Sequence, residues 1–443
     1  MAARSSRLSV PTRSRQALGA GAVAIFLAAA LACARQPARG PAAGPVTWHE
    51  ILALRGRRDY LTLRDRLEAI DSGDASPEVL VARALVGHAF NDPAGSNRAI
   101  DLALARDGLP DSVRLVLRET KVANHVRLFE YAAGLRAVDS VLRDTTRLRP
   151  VSLADHRNMR RILEALREVP PQTMELTDAT VLRLDEGRTI VTVNDSVRSY
   201  VFDTGANLST IMRSEAAATG LQLLPAGIDV GTSTDQRVTA DLAIADRLVL
   251  GTAVFRHVVF LVLDDSLLTF PGGYRIPGVI GFPVIERLGE MHFAANGTIT
   301  VPRPSSAAAK PNLALDELTP LTRVHWDGEG QPLICRLDTG AQTTQFYEPF
   351  YRRFRARIDS LTTPTRRETG GAGGVRELPV RLLPNARISL GDTVATLPSA
   401  EVVLESIVRD PAENYLDCNV GHDILDAFSE YVINFRAMVF SLR

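Results

Sequence analysis

The chain is short of the residues from which several common chemistries are built. It has three cysteines and eight scattered histidines in 443 residues, with no Cys-x-x-Cys and no His-Glu-x-x-His. A dedicated metal centre needs such ligands in clusters, so the sequence implies neither a metal nor any other cofactor. Gly-x-Ser-x-Gly is also missing, which removes the nucleophile elbow of many serine hydrolases. Gly370, Gly371, Gly373 and Gly374 form a glycine cluster, but no Lys-Ser/Thr follows and no strand-to-helix unit surrounds it, which argues against a phosphate cradle. Net charge gives no lead, since 51 basic residues balance 51 acidic ones and nothing draws the protein to nucleic acid.

Carboxylates in a repeated setting are present instead. Asp203-Thr204-Gly205-Ala206 and Asp338-Thr339-Gly340-Ala341 are two copies of one tetrapeptide, 135 residues apart. Average composition gives about one chance Asp-Thr-Gly in ten chains of this length, so two in matched contexts exceed chance. Each copy ends the second strand of a predicted hairpin. Residues 189–193 and 197–202 flank a polar tip before Asp203, and residues 321–326 and 333–337 do so before Asp338. Further on, Gly278-Val279-Ile280-Gly281 answers Cys418-Asn419-Val420-Gly421 at an offset of 140, and residues 291–301 answer 431–441. The last 270 or so residues therefore read as a tandem duplication of one β-rich unit.

These motifs resemble the pepsin-like and retropepsin-like aspartic proteases. In that family each lobe gives an apolar-Asp-Thr-Gly loop and a later apolar-apolar-Gly segment behind it, the places held here by Ile280-Gly281 and Val420-Gly421. Ala206 and Ala341 are similar to the retroviral form, whereas pepsin-like enzymes usually carry Ser or Thr there. Asn419 departs from the pattern, being polar where an apolar residue is usual. The resemblance covers about residue 176 to the C-terminus and implies an aspartic endopeptidase with Asp203 and Asp338 as its catalytic pair. Because both motifs share one chain, it also implies a monomer whose lobes pair internally, acting on polypeptide. The chemistry fits: two carboxylates about 3 Å apart cannot both ionise, so together they hold one proton and supply a base and an acid at one point. The threonines can bond across to the opposite loop, and the glycines allow the tight turn. A non-catalytic peptide-binding scaffold on degenerate lobes is the alternative.

Such an enzyme needs hairpins that close over substrate. The candidate in the first lobe is 230–238, with Gly231, Thr232 and Ser233 at its tip; in the second it is 368–377, with the four clustered glycines. His422 beside Gly421 reads as structural rather than as a base. The family arrangement makes Cys335 and Cys418 near neighbours, since each lies three residues before a motif residue on adjoining strands. Two outcomes stay open there: a disulfide in an oxidising compartment, or two buried free thiols, which the poor disulfide geometry of many strand neighbours favours.

The N-terminus carries Arg4, Arg7, Arg13 and Arg15 and then an apolar stretch over 17–32 that is too short to span a bilayer comfortably. It ends Ala30-Leu31-Ala32-Cys33, which is similar to a bacterial lipobox with Cys33 as the lipidated residue. The expectation is an exported protein, lipid-anchored to the cell envelope and facing the periplasm, or secreted if the lipobox is not used. The domain reading is a signal peptide at 1–33, a tether at 34–47 and a helical domain at 48–168. The lobes follow at 169–303 and 312–443, with a Pro-, Ser- and Ala-rich linker at 304–311. Apolar residues at helical spacing predict helices over 49–70, 77–90, 96–106, 111–126 and 128–142. They weakly resemble tetratricopeptide-like repeats, or else form a plain bundle, as a platform or a spacer. The fold class expected is multi-domain α+β, an all-α helical-repeat domain followed by two tandem, mainly-β, acid-protease-like lobes.

Overall fold

Helices come first because apolar residues recur at three and four positions and proline opens several segments. They span Trp48–Gly56, Tyr60–Glu68, Pro77–Ala89, Pro93–Leu104, Asp111–Arg127, Tyr131–Leu142 and Pro150–Leu166. The computed structural model describes residues 44–231, 237–305, 310–371, 374–391, 393–408 and 413–443. Residues 1–33, read as a signal peptide, lie outside these residues, Cys33 among them. The single helix expected over 49–70 is two. The chain turns at Arg58, which takes φ 55, and the Asp59 carboxylate then accepts from the Thr62 N–H to start the next helix. The helix Pro150–Leu166 was not foreseen as an element. Leu163 and Leu166 of it are buried, with Met159 and Ile162 packed beside them at helical spacing.

From residue 173 the chain is mainly strand, in two lobes of like topology. In the first, the strand Ser196–Phe202 leads into Asp203 and runs parallel to Gly278–Ile280, pairing Val201 with Val279 and Phe202 with Ile280. That glycine strand pairs antiparallel with Ser209–Met212. In the second lobe Leu333–Leu337 leads into Asp338 and runs parallel to Cys418–Val420, pairing Cys335 with Cys418, Arg336 with Asn419 and Leu337 with Val420. Cys418–Val420 in turn pairs antiparallel with Gln345–Phe346. Each lobe also carries a long hairpin. One joins Gln222–Gly231 to Arg237–Leu250 and the other joins Pro364–Gly371 to Gly374–Leu390.

The lobes share a third sheet of five strands, in which Glu290–Ala294 of the first half pairs antiparallel with Glu430–Asn434 of the second. The segments matched in sequence at an offset of 140 thus meet each other. Phe293 and Tyr431, register partners there, stack with ring centres 4.5 Å apart, and Phe282 meets Phe435 edge-on at 5.2 Å. One apolar core runs through both lobes.

The helical region docks on both lobes. Val122, Val138, Val141, Leu163 and Leu166 join Ile228, Leu242, Ile244 and Leu261 of the first lobe in one core, and Arg127 pairs with Glu286 at 2.9 Å. At the second lobe the Asp316 carboxylate accepts from Arg58 Nε at 2.9 Å, Tyr60 Oη at 3.0 Å and Tyr415 Oη at 2.6 Å. Three donors on a buried carboxylate stabilise its charge, and they hold Asp316 below the ordinary range despite burial.

The favoured reading of Cys335 and Cys418 as free thiols is corrected: their sulfurs are bonded. Parallel register partners here stand with Cα atoms 4.6 Å apart, inside the range a disulfide bridges.

Candidate active site

Each Asp-Thr-Gly loop is held from below by its own lobe. The Asp203 N–H donates to the Ile280 carbonyl at 3.0 Å, and the Asp338 N–H to that of Val420 at 3.1 Å. Gly281 N donates to Ser209 Oγ at 3.1 Å, and Gly421 N to Thr344 Oγ1 at 3.0 Å. Phe282 N reaches the Ala206 carbonyl at 2.8 Å, and His422 N that of Ala341 at 2.9 Å. The loop, the glycine segment and the alanine after the tetrapeptide are thus tied the same way twice.

The loops are also tied to each other. The Thr204 N–H donates to Thr339 Oγ1 and the Thr339 N–H to Thr204 Oγ1, both at 3.0 Å. Each hydroxyl then donates across the lobe boundary, Thr204 to the Leu337 carbonyl at 3.0 Å and Thr339 to the Phe202 carbonyl at 3.3 Å. Both threonines are buried, so these four bonds have no water to replace them.

The reciprocal lock brings the carboxyls together. Gly205 N donates to Asp203 Oδ1 at 2.7 Å and Gly340 N to Asp338 Oδ1 at 3.0 Å. A Cβ on Gly205 would fall 2.6 Å from Asp338 Oδ1, and one on Gly340 would fall 2.4 Å from Asp203 Cγ. Each glycine therefore faces the other lobe's carboxyl, and Asp203 and Asp338 come together across the lobe boundary. Burial foremost, and then the negative charge of Asp338, push the Asp203 carboxyl up to about 7 against the opposing pull of the Gly205 N–H. A carboxyl held near neutrality beside a second one can give and take a proton at ordinary pH.

The segments named as flap candidates fall at the turn ends of the two long hairpins. Gly231, Gly370, Gly371 and Gly374 are strand residues at their ends, whereas Thr232, Ser233 and Gly373 lie outside the described residues. His422 is braced, with Nε2 3.0 Å from the Thr339 carbonyl and Nδ1 3.0 Å from Asp426. Among the described residues no group of three or more His, Cys, Asp or Glu is arranged to hold a metal ion.

Arg336 was not read from sequence as part of the site, and Asn419 was read only as a departure from the glycine segment's pattern. Arg336 NH2 lies 2.9 Å from Asp338 Oδ2, and Arg336 Nε donates to Asn419 Oδ1 at 2.8 Å. Asn419 Nδ2 donates to the same Asp338 Oδ2 at 3.1 Å. The departure at Asn419 is thus occupied in binding Asp338 and Arg336. The signal was available, because strand alternation puts Arg336 on the face opposite Cys335 and Leu337, and its register partner is also polar.

Residues 189–284 match an aspartyl protease family model. The match takes in the first Asp loop and the first glycine segment. No curated protein matches the chain. Among solved structures, a retropepsin-like aspartic protease from Rickettsia conorii is similar at 15% identity and TM-score 0.21, over 29% of this chain and 91% of that one. Basic 7S globulin from soybean is similar at 10% identity and TM-score 0.37, over 60% of this chain and 93% of that one. A structure described as edgp is similar at 12% identity and TM-score 0.30, over 58% and 92%.

Proposed function

We propose that the chain is an aspartic endopeptidase in which Asp203 and Asp338 hold one proton and activate one water between them. The observation that carries this reading is the reciprocal Thr204–Thr339 exchange, which sets each loop's glycine against the other lobe's carboxyl and so brings Asp203 and Asp338 together. A scaffold with no use for the pair gains nothing from two adjacent carboxyls, one buried and one half-buried, whose repulsion and desolvation work against folding. The aspartyl protease match over residues 189–284 supports the same chemistry.

The substrate is polypeptide, laid between the lobes beneath the hairpins ending at Gly231 and Gly371. The catalytic unit is a monomer, because one chain supplies both loops. Export and lipid anchoring at Cys33 rest on the N-terminal sequence, and the Cys335–Cys418 bond suits an oxidising compartment. The test is digestion of a peptide library with and without pepstatin. Cuts that pepstatin blocks are expected, whereas peptides bound but left whole would select the scaffold.

A further inference from the structure

The two carboxyls are chemically identical and their loops are built alike, but their surroundings differ. Beside Asp203, the strand and its parallel neighbour present Val201 and Val279. Beside Asp338, the corresponding partners are Arg336 and Asn419. Both donate to Asp338 Oδ2, at 2.9 and 3.1 Å, while Gly340 N donates to Oδ1. An oxygen that accepts two N–H donors has no free lone pair on which to carry a proton. Asp203 receives the Gly205 N–H on Oδ1, which leaves Oδ2 for the shared proton. The groups that face Arg336 are Asp338 on its own strand, Asn419 on the glycine strand, Asp203 across the lobe boundary, and Tyr347, which hydrogen-bonds to it. Tyr415 adds a further phenol near it. Its neighbouring carboxylates hold the guanidinium charged.

We infer that Arg336 is a positioning residue that fixes the dyad's single proton on Asp203 and leaves Asp338 as the base, so that the lobes are not interchangeable in the reaction. The inference rests on the peptidase reading. In the forward step Asp338 takes a proton from water as the water oxygen bonds to the scissile carbon. The carbonyl π pair moves onto its oxygen, which takes the proton of Asp203. In the second step Asp338 gives its proton to the amide nitrogen as the C–N bond breaks. One hydroxyl of the intermediate returns a proton to Asp203, so the products are acid and amine and the starting protonation is restored.

The experiment is carbon-13 NMR of the full chain labelled at aspartate Cγ, followed against pH, with Asp203→Asn and Asp338→Asn assigning the two signals. In the wild type the Asp203 carbon should titrate near neutrality while the Asp338 carbon stays at the ionised shift through that range. In Arg336→Met the Asp338 carbon should move with Asp203 over the same range, and Arg336→Lys should restore the wild-type pattern. Cleavage by Arg336→Met should lose about 10²-fold in kcat, with a displaced pH profile and little change in KM. A wild-type proton on Asp338, or an Arg336→Met pattern equal to wild type, overturns the inference. The wild-type titration alone decides the first of these even if Arg336→Met does not fold. A wild type that titrates as stated but cuts no peptide keeps the proton placement and overturns the peptidase reading instead.

Discussion

Set side by side, the two aspartate strands agree where they touch each other and differ where they touch their own lobe. Thr204 and Thr339 exchange the same bonds in both directions, and both loops hang from the glycine segment by the same amides. Three residues before each motif, however, the first lobe has Tyr200 packed so closely on Gly278 that a Cβ there would lie 2.7 Å from the ring. The second lobe has the Cys335–Cys418 bond at those places. Two residues before each motif, Val201 and Val279 stand against Arg336 and Asn419. The positions that build the dyad are fixed by its geometry. Those behind it diverge, into apolar packing in one lobe and covalent and ionic ties in the other, and the ionic ties reach Asp338 itself.

The largest test of this comparison removes each carboxyl in turn. Asp203→Asn and Asp338→Asn each keep shape but remove the shared proton or the base, so each alone should lower peptide cleavage by at least about 10³-fold with the fold retained, as read by kcat/KM and circular dichroism. Full activity in either variant would mean that one lobe suffices.

A smaller effect separates the supports. Cys335→Ser with Cys418→Ser should destabilise the protein by about 2–4 kcal/mol, because the bond closes a long loop. Gly278→Ala in the first lobe should cost about 1–3 kcal/mol through overpacking against Tyr200. Denaturant unfolding measures both, and a reductant should reproduce the first in wild type while leaving the second unchanged.

A further test is the pH dependence of stability. The Asp203 carboxyl is raised in the folded state, from an ordinary 3.8 to about 7, so the folded chain holds a proton that the unfolded chain releases within that window. Stability therefore falls as pH rises from about 4 to 7 on this account. The amide introduced by Asp203→Asn cannot ionise, so the stability of that variant relative to wild type should climb across the same window and level off above it. Thermal unfolding from pH 4 to 8 checks the slope, and a difference that is flat or reversed with pH would remove the raised carboxyl from the picture.

The duplicated loops were legible because their chemistry is local: Asp-Thr-Gly-Ala, the strand before it and Ile280-Gly281 or Val420-Gly421 behind it are short motifs with a fixed order. The split of the first helix was hidden in Arg58, whose left-handed backbone leaves no mark on apolar spacing. Pro150–Leu166 was legible but passed over: Met159, Ile162, Leu163 and Leu166 stand at helical spacing and pack on the first lobe. The bond between Cys335 and Cys418 depended on a Cα separation that residue types do not encode. Arg336 is the instructive omission. A cation in an otherwise apolar strand, opposite a polar partner, signals a buried anion nearby, and the anion was two residues away.

The most direct measurement is complementation by mixing. Each single variant, Asp203→Asn or Asp338→Asn, retains one intact loop, so a site assembled between two chains would reappear when they are combined, while a site within one chain would not. Equimolar mixture of the two purified variants should leave peptide cleavage at the level of either alone, with wild-type activity per chain constant on dilution. Recovery of a substantial fraction of wild-type cleavage in the mixture would contradict the pairing of the two lobes within one chain.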